Sequence, residues 1–179
     1  MIENFDFLRS ERRVHLILLG RDPLSVAWSY INRFEFITNG YTWLFSLGPA
    51  YPHRINDSTP YIKQGMFGNA TWYVNEVYAR QAYYCCLLKN DANVNTYSVD
   101  LADIATANGV GELLSALTGQ AVAPAAVKMP DPQNESKGAF FDDKVKANVK
   151  QRLSQLWQDP DKAGMAYFES GRRLGDPPR

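Results

Sequence analysis

The chain has 179 residues, of which 45% are hydrophobic and 21% charged, a balance typical of one globular domain with an ordinary core. Nineteen basic residues offset nineteen acidic ones, so the zero net charge disfavours a general role in binding nucleic acid or anionic lipid. No apolar run approaches the length of a transmembrane helix, and the first residues lack the apolar core of a signal peptide. These features predict a soluble protein of cytoplasmic type that is not addressed for secretion.

The first strongly patterned segment is an apolar strand that runs into a helix. A helix or turn is predicted over 5–12, and five apolar residues within 14–19 predict a strand buried on both faces of a parallel sheet. After it, Asp22 and Pro23 suit the N-cap and the first position of a helix that ends near Ile37. The buried face of this helix is predicted from apolar residues at helical spacing, namely Leu24, Ala27, Trp28, Ile31 and Phe34.

The junction between this strand and this helix is a candidate anion site. Arg21 lies where the N–H groups and the dipole of the helix favour an anion. A second face of the helix carries polar side chains four residues apart, namely Ser25, Ser29 and Arg33. We therefore predict that a phosphate group binds at this corner. The alternative is that Arg21 simply pairs with Asp22 or Glu35.

A stretch rich in glycine, proline and aromatic residues follows over 38–68. Its rings must either pack or bind a ligand: Tyr41, Trp43, Phe45, Tyr51, Tyr61 and Phe67. Packing on the sheet is the plainer interpretation. The next predicted elements are a long helix from Asn69 or Thr71 to about Lys89, a strand over 94–99 and a short helix over 110–117 that Gly119 stops. This order of elements predicts an α/β fold.

The remaining chain reads as a surface crossing over 120–137, followed by a C-terminal helix and tail over 138–179. Asp142 and Asp143 favour the start of that helix, whose buried face is predicted from Val145, Val149, Leu153 and Leu156. We expect a single domain over 1–179.

The cysteines and histidines predict neither a disulfide framework nor a metal site. Cys85 and Cys86 are neighbours in the chain, and neighbouring residues are poorly placed to bridge each other in regular structure. His15 and His53 are the only histidines, and no carboxylate pattern lies close to either in the sequence. We expect His15 to be packed or hydrogen-bonded within its strand.

The segment VHLILLGRDPLSVAWSYINRFEF resembles the 3′-phosphate-binding segment of sulfotransferases that use 3′-phosphoadenosine 5′-phosphosulfate. In that family a strand ends in an Arg-x-Pro turn and a serine follows eight residues after the arginine, places that Arg21, Pro23 and Ser29 fill here. Weaker similarity to later family segments begins at Gly65, Asn95, Gly109 and Asn134. Roughly residues 12 to 157 align with the second half of such an enzyme.

This resemblance implies a partial P-loop-type parallel sheet, flanked by helices and lacking the phosphate-loop strand. It also implies that 3′-phosphoadenosine 5′-phosphosulfate, or its 3′,5′-bisphosphate product, is the cofactor. Arg21, Ser25 and Ser29 would bind its 3′-phosphate. Arg172 and Arg173 imitate in part a second basic anchor near the end of the animal cytosolic enzymes, with a chance match or a frayed terminus as the alternative.

The printed sequence contains no G-x-x-x-x-G-K-[ST] phosphate loop, and the family's catalytic lysine and histidine would also lie in the missing part. The resemblance therefore assigns no catalytic residue to this chain and predicts that it transfers no sulfate alone. We expect it to be a fragment, half of a split enzyme, or a descendant that kept the scaffold.

Three functions agree with these features. The chain is the 3′-phosphate and acceptor half of a sulfotransferase, a structural or interaction subunit of a larger assembly such as a particle or shell, or a nucleotide-binding module without chemistry. Removing the phosphate-loop strand leaves the first strand with an apolar edge, so we expect a second polypeptide or self-association to cover it.

Overall fold

A computed structural model describes residues 13–31, 48, 51, 53–130 and 142–174. The chain forms two compact units, the first from 1–21 and 89–137 and the second from 22–88 and 138–179. In chain order the described elements are β1 (Val14–Gly20), α1 (Pro23–Ile31), α2 (Thr59–Ile62), α3 (Gly65–Leu88), β2 (Val94–Asp100), α4 (Leu101–Ile104), α5 (Ala107–Thr118), a 3-10 turn (Pro124–Ala126), α6 (Asp143–Leu156) and α7 (Pro160–Glu169).

The first unit is built on a parallel pair of strands. β1 pairs with β2 in a register that runs from Val14 opposite Val94 to Gly20 opposite Asp100. A parallel sheet flanked by helices confirms the predicted α/β class. The prediction that β1 is buried on both faces is wrong, since its residues alternate and Ile17 remains 43% exposed. The physical reason is that side chains project above and below a sheet, and the face that carries Ile17 and Leu19 is left largely uncovered.

Side-chain caps define the starts of α4 and α5, the two α-helices among the described residues of the first unit. The Asp100 carboxylate accepts from the Ala102 N–H at 2.7 Å and starts α4. The Thr106 hydroxyl accepts from the Gly109 N–H at 3.1 Å, so α5 begins three residues before its predicted start. Its predicted end is confirmed, because Gly119 adopts a left-handed conformation with φ of 70°, which glycine takes without a Cβ penalty.

The core of the second unit lies between α1, α3 and α6. The buried face predicted for α1 is confirmed at Ala27, Trp28 and Ile31, while Leu24 is half-buried against the same cluster. Phe34 lies outside the described residues. The other elements contribute Ala70, Val74, Val149 and Leu153.

The long helix α3 begins at Gly65, so the predicted caps at Asn69 and Thr71 are wrong. Thr71 sits inside the helix, where its hydroxyl donates to the Phe67 carbonyl at 2.9 Å. This bond to the preceding turn satisfies the Thr71 hydroxyl within the helix, so the side chain does not act as the predicted cap. Gly68 lets α3 approach α2, because a Cβ at this position would lie 1.8 Å from the Tyr61 carbonyl oxygen.

The C-terminal region contains two helices where one was predicted. In α6 the predicted buried face is confirmed at Val149 and Leu153, and Leu156 is half-buried, but the predicted burial of Val145 is wrong because its side chain is 36% exposed. No separate helix was predicted over the residues of α7. The Asp159 carboxylate caps α7, and Pro160 takes its first position. Gly164 allows α7 to pack closely on α3, because a Cβ there would lie 2.2 Å from the Ala79 carbonyl oxygen.

Several predictions fall on residues outside the described ranges. They include the opening helix over 5–12, the end of α1 near Ile37, and the aromatic residues at 41, 43 and 45. Of the predicted surface crossing, residues 120–130 are described and are irregular and largely exposed. The expectation of one domain over 1–179 stays a prediction, since two compact units do not by themselves establish two independently folding domains.

Candidate functional site

The predicted anion corner is organised around a carboxylate. The Asp22 side chain accepts from the Ser25 N–H at 2.9 Å and from the Ser25 hydroxyl, and it therefore caps α1. The hydroxyl bond from Ser25 is the main cause of a lowered Asp22 pKa, and the charge of Lys150 contributes in the same direction. Asp22 is thus the negative charge that interacts with the dipole of α1, and the Ser25 hydroxyl is already engaged.

The other two residues of the predicted 3′-phosphate site flank this cap along the chain. Arg21 follows β1 directly, is exposed, and is the last residue of the first unit's opening segment. Ser29 lies one turn after Ser25 on α1 and is half-buried. Asp22 and Ser25 are therefore in contact, whereas Arg21 and Ser29 belong to different compact units.

The predicted second anchor, Arg172 and Arg173, lies on a tethered segment of the second unit. The Arg172 carbonyl accepts from the Tyr83 hydroxyl at 3.4 Å, and the Arg173 carbonyl accepts from the Tyr167 hydroxyl at 3.3 Å. The Arg172 guanidinium carbon lies 4.8 Å from the centre of the Tyr167 ring, and Leu174 is only 2% exposed. The alternative of a frayed terminus is therefore wrong for residues 172–174, while both arginine side chains remain exposed.

Sequence analysis missed a buried polar network centred on Glu76 of α3. Its carboxylate, which is fully buried, accepts from the Ile55 N–H at 3.0 and 3.1 Å and from the Asn56 N–H at 2.9 Å. It also pairs with Arg80 at 2.8 Å. The signal was present in the sequence, because Glu76 lies four residues after Trp72 and therefore on the same face of the helix as this large apolar side chain. A charge on such a stripe must find partners.

This network holds residues 53–56, which belong to the aromatic stretch over 38–68, against α3. The Trp72 indole N–H donates to the Asn56 carbonyl at 3.1 Å, and Arg80 donates to the His53 carbonyl while its guanidinium lies 5.4 Å from the Tyr51 ring centre. Tyr51 stays 39% exposed, whereas Tyr61 is fully buried. The structure thus supports packing for Tyr61 and leaves Tyr51 on the surface.

The two cysteines and His15 are further candidates for reactive or metal-binding groups. Cys85 and Cys86 are free, and burial is the main cause of a raised Cys85 pKa. His15 is hydrogen-bonded as predicted, with its Nδ1 3.2 Å from the Tyr97 hydroxyl. Among the described residues, no group of three His, Cys, Asp or Glu side chains is arranged to hold a metal ion.

The first unit also has an open cleft of about 520 Å³ between β2 and its helices. Tyr97 and Val99 form its floor, and α4 and α5 supply Asp103 and Glu112 to its walls. Both carboxylates are exposed, and none of the predicted site residues lines the cleft. Within the described part of the chain, no helix is long and apolar enough to cross a membrane.

Comparison with protein-family models, with curated proteins and with solved structures gave no significant match to this chain. The similarity to sulfotransferases therefore rests on the residues quoted above.

Proposed function

We propose that this chain supplies the 3′-phosphate-binding and acceptor-side half of a sulfuryl-transfer site and is inactive without the other half. The observation that carries the proposal is the junction of β1 and α1. An apolar strand ends at Gly20, an exposed arginine follows, and a helix with an Asp-Pro start begins two residues later. Helix starts of this kind after a parallel strand are favourable places for a phosphate group.

Each residue of the junction has a defined part in the proposal. The Arg21 guanidinium would form a charge-assisted pair with the 3′-phosphate, and the Ser29 hydroxyl would donate to a phosphate oxygen. Asp22 repels an incoming dianion, so the site needs positive charge beyond one arginine. We assign that charge to Arg172 and Arg173, whose main chain is held by tyrosine hydroxyl groups.

When bound, the donor nucleotide supplies the sulfuryl group, and the residues of this chain bind and orient its adenosine 3′-phosphate end. The 5′-phosphosulfate loop and the groups that move protons would come from sequence outside these 179 residues. The parallel β1–β2 pair supports this division, because it is a small part of a sheet that other strands would extend. We propose a cytoplasmic location or membership of an assembled particle for the complex.

Calorimetric titration with adenosine 3′,5′-bisphosphate tests the proposal. We expect micromolar binding, and a loss of about 1.5–3 kcal/mol when Arg21→Ala removes a hydrogen bond to a charged group. Arg13→Ala is the matched control, because Arg13 is also exposed but precedes the opposite end of β1. Adenosine 5′-monophosphate, which lacks the 3′-phosphate, should bind at least tenfold more weakly. Absence of binding by a folded chain, or equal binding of both nucleotides, contradicts the proposal.

A second candidate is a non-catalytic interaction subunit built on the same scaffold. The exposed apolar residues of β1, Ile17 at 43% and Leu19 at 42%, favour it, since such side chains in a parallel sheet are usually covered. This function predicts a stable assembly with no nucleotide affinity. Sedimentation velocity of the chain, run beside the titration, separates the two candidates.

A further inference from the structure

The outer edge of β1 has backbone groups that no described strand pairs. The Val14 N–H donates to the Asn93 carbonyl at 2.8 Å, so the backbone groups of Val14 point toward β2. Alternate residues of a parallel strand face the same neighbour, so Leu16, Leu18 and Gly20 also face β2. The N–H and carbonyl groups of His15, Ile17 and Leu19 therefore point to the opposite edge, where no strand of the described sheet lies.

The composition of β1 is that of an interior strand. Its seven residues contain neither a charged side chain nor a proline, the features by which natural edge strands avoid pairing. Ile17 and Leu19 share one face of the sheet and are both more than 40% exposed. Backbone groups spaced along an extended edge are satisfied by another extended strand, so the occupant is a strand with apolar side chains.

Charge at the ends of β1 distinguishes between possible occupants. Exposed arginines flank the strand, Arg13 before it and Arg21 after it. A second copy aligned antiparallel about Ile17 would set Arg13 of one copy opposite Arg21 of the other at both ends. Like charges directly opposite each other destabilise strand pairs, whereas carboxylates at the ends of a different strand would complement these arginines.

We propose that the outer edge of β1 is a docking site for a β-strand from another polypeptide, seven residues long with one apolar face and flanked by carboxylates. The inference rests on the proposed function in one respect, because that function requires a second segment. It is tested without nucleotide, so the two proposals fail separately. Arg13 is the main contact for the flanking carboxylate, because Arg21 is assigned to the phosphate.

The probe is a fluorescein-labelled nonapeptide in which seven residues, alternating valine and threonine, lie between two glutamates, and the readout is fluorescence anisotropy with the full chain. We expect saturable binding, weakened about threefold to tenfold when both glutamates are replaced by lysine. Arg13→Glu should reverse this preference. Ile17→Pro should abolish binding, because it removes an outward N–H and leaves the ladder with β2 intact. Ile17→Thr, which keeps that N–H, should bind within about threefold of the original chain.

A second measurement leaves the protein unchanged. Methylation of alternate amide nitrogens of the peptide blocks its hydrogen bonds to a strand edge, so the methylated peptide should not bind even if Ile17→Pro fails to fold. Equal binding of methylated and unmodified peptides, or no binding of either, overturns the proposal. The proposal is also overturned if the chain forms a dimer that persists in Ile17→Thr and dissociates in Ile17→Lys, because a second copy of the chain would then occupy the edge. Loss of bisphosphate binding alone would contradict only the proposed function.

Discussion

Replacing Glu76 with glutamine removes the charge at the centre of the polar network that holds residues 53–58 to α3. The carboxylate is fully buried and accepts from the backbone N–H groups of Ile55 and Asn56, at distances between 2.9 and 3.1 Å. Its partner Arg80 has a side chain only 16% exposed. Glutamine keeps one acceptor oxygen but turns an NH₂ group toward groups that are all donors, and it leaves the guanidinium without its counter-charge.

The expected cost follows from these contacts. A buried donor left without an acceptor costs about 1–3 kcal/mol, and an uncompensated buried charge costs about 3–5 kcal/mol. The two effects overlap, so we expect Glu76→Gln to lower the free energy of unfolding by about 3–5 kcal/mol out of a typical total of about 5–15 kcal/mol. Removing both charges with Glu76→Gln and Arg80→Met should recover about 0.5–3 kcal/mol of the loss.

Urea unfolding followed by tryptophan fluorescence measures this effect. The described tryptophans, Trp28, Trp72 and Trp157, lie in the second unit, and the Trp72 indole donates to the Asn56 carbonyl inside the network. Glu112→Gln is the matched control, because Glu112 is exposed and its neutralisation should change stability by less than about 0.5 kcal/mol. If Glu76→Gln behaves like this control with an unchanged urea dependence, the network does not stabilise the fold and the reasoning is refuted.

Three further predictions concern packing, a helix cap and a thiol. Gly164→Ala should lower the free energy of unfolding by about 1–3 kcal/mol through overpacking against α3, although alanine gains about 0.5–1 kcal/mol in helix propensity. Ala166→Gly, on the exposed side of the same helix, is the control and should lose only the stability that comes from helix propensity. If Gly164→Ala proves more stable than the original chain in the same urea assay, the close approach of α7 to α3 is contradicted. Hydrogen bonds lower the Asp22 pKa in the folded state. Its ionised carboxylate therefore stabilises the fold fully at pH values above its ordinary pKa near 3.9, and this stabilisation is lost as the pH falls through the lower pKa of the folded state. Asp22→Ala should therefore cost about 0.5–2 kcal/mol at pH 7 and progressively less in acid, and a pH-independent cost in urea titrations would argue against the cap. Burial raises the Cys85 pKa, so less of this thiol is ionised at pH 8 than in free cysteine. In a Cys86→Ser variant, iodoacetamide should therefore alkylate Cys85 more slowly than it alkylates free cysteine, and an equal rate would count against burial.

Local signals in the sequence predicted the elements around the candidate site well. The Asp22–Pro23 pair predicted the start of α1, and Gly119 predicted the end of α5, because both act through the backbone of neighbouring residues. The same kind of signal, an aspartate followed by a proline, stands at Asp159–Pro160 where α7 begins.

Residues far apart in the chain decided the rest. The partners of Glu76 come from a loop about twenty residues away, and no local pattern predicts which donors a buried carboxylate will meet.

The candidate site combines both kinds of information. Composition, helical spacing and the strand–arginine–helix order were sufficient to predict the α/β class and to single out Arg21 and Ser29, since these features depend on near neighbours in the chain. The tertiary structure decided that the Tyr83 hydroxyl tethers the segment with Arg172, which lies 89 residues later, and that one edge of β1 lacks a described partner. Those outcomes depend on which distant groups are brought within hydrogen-bonding distance, and only the folded chain determines that.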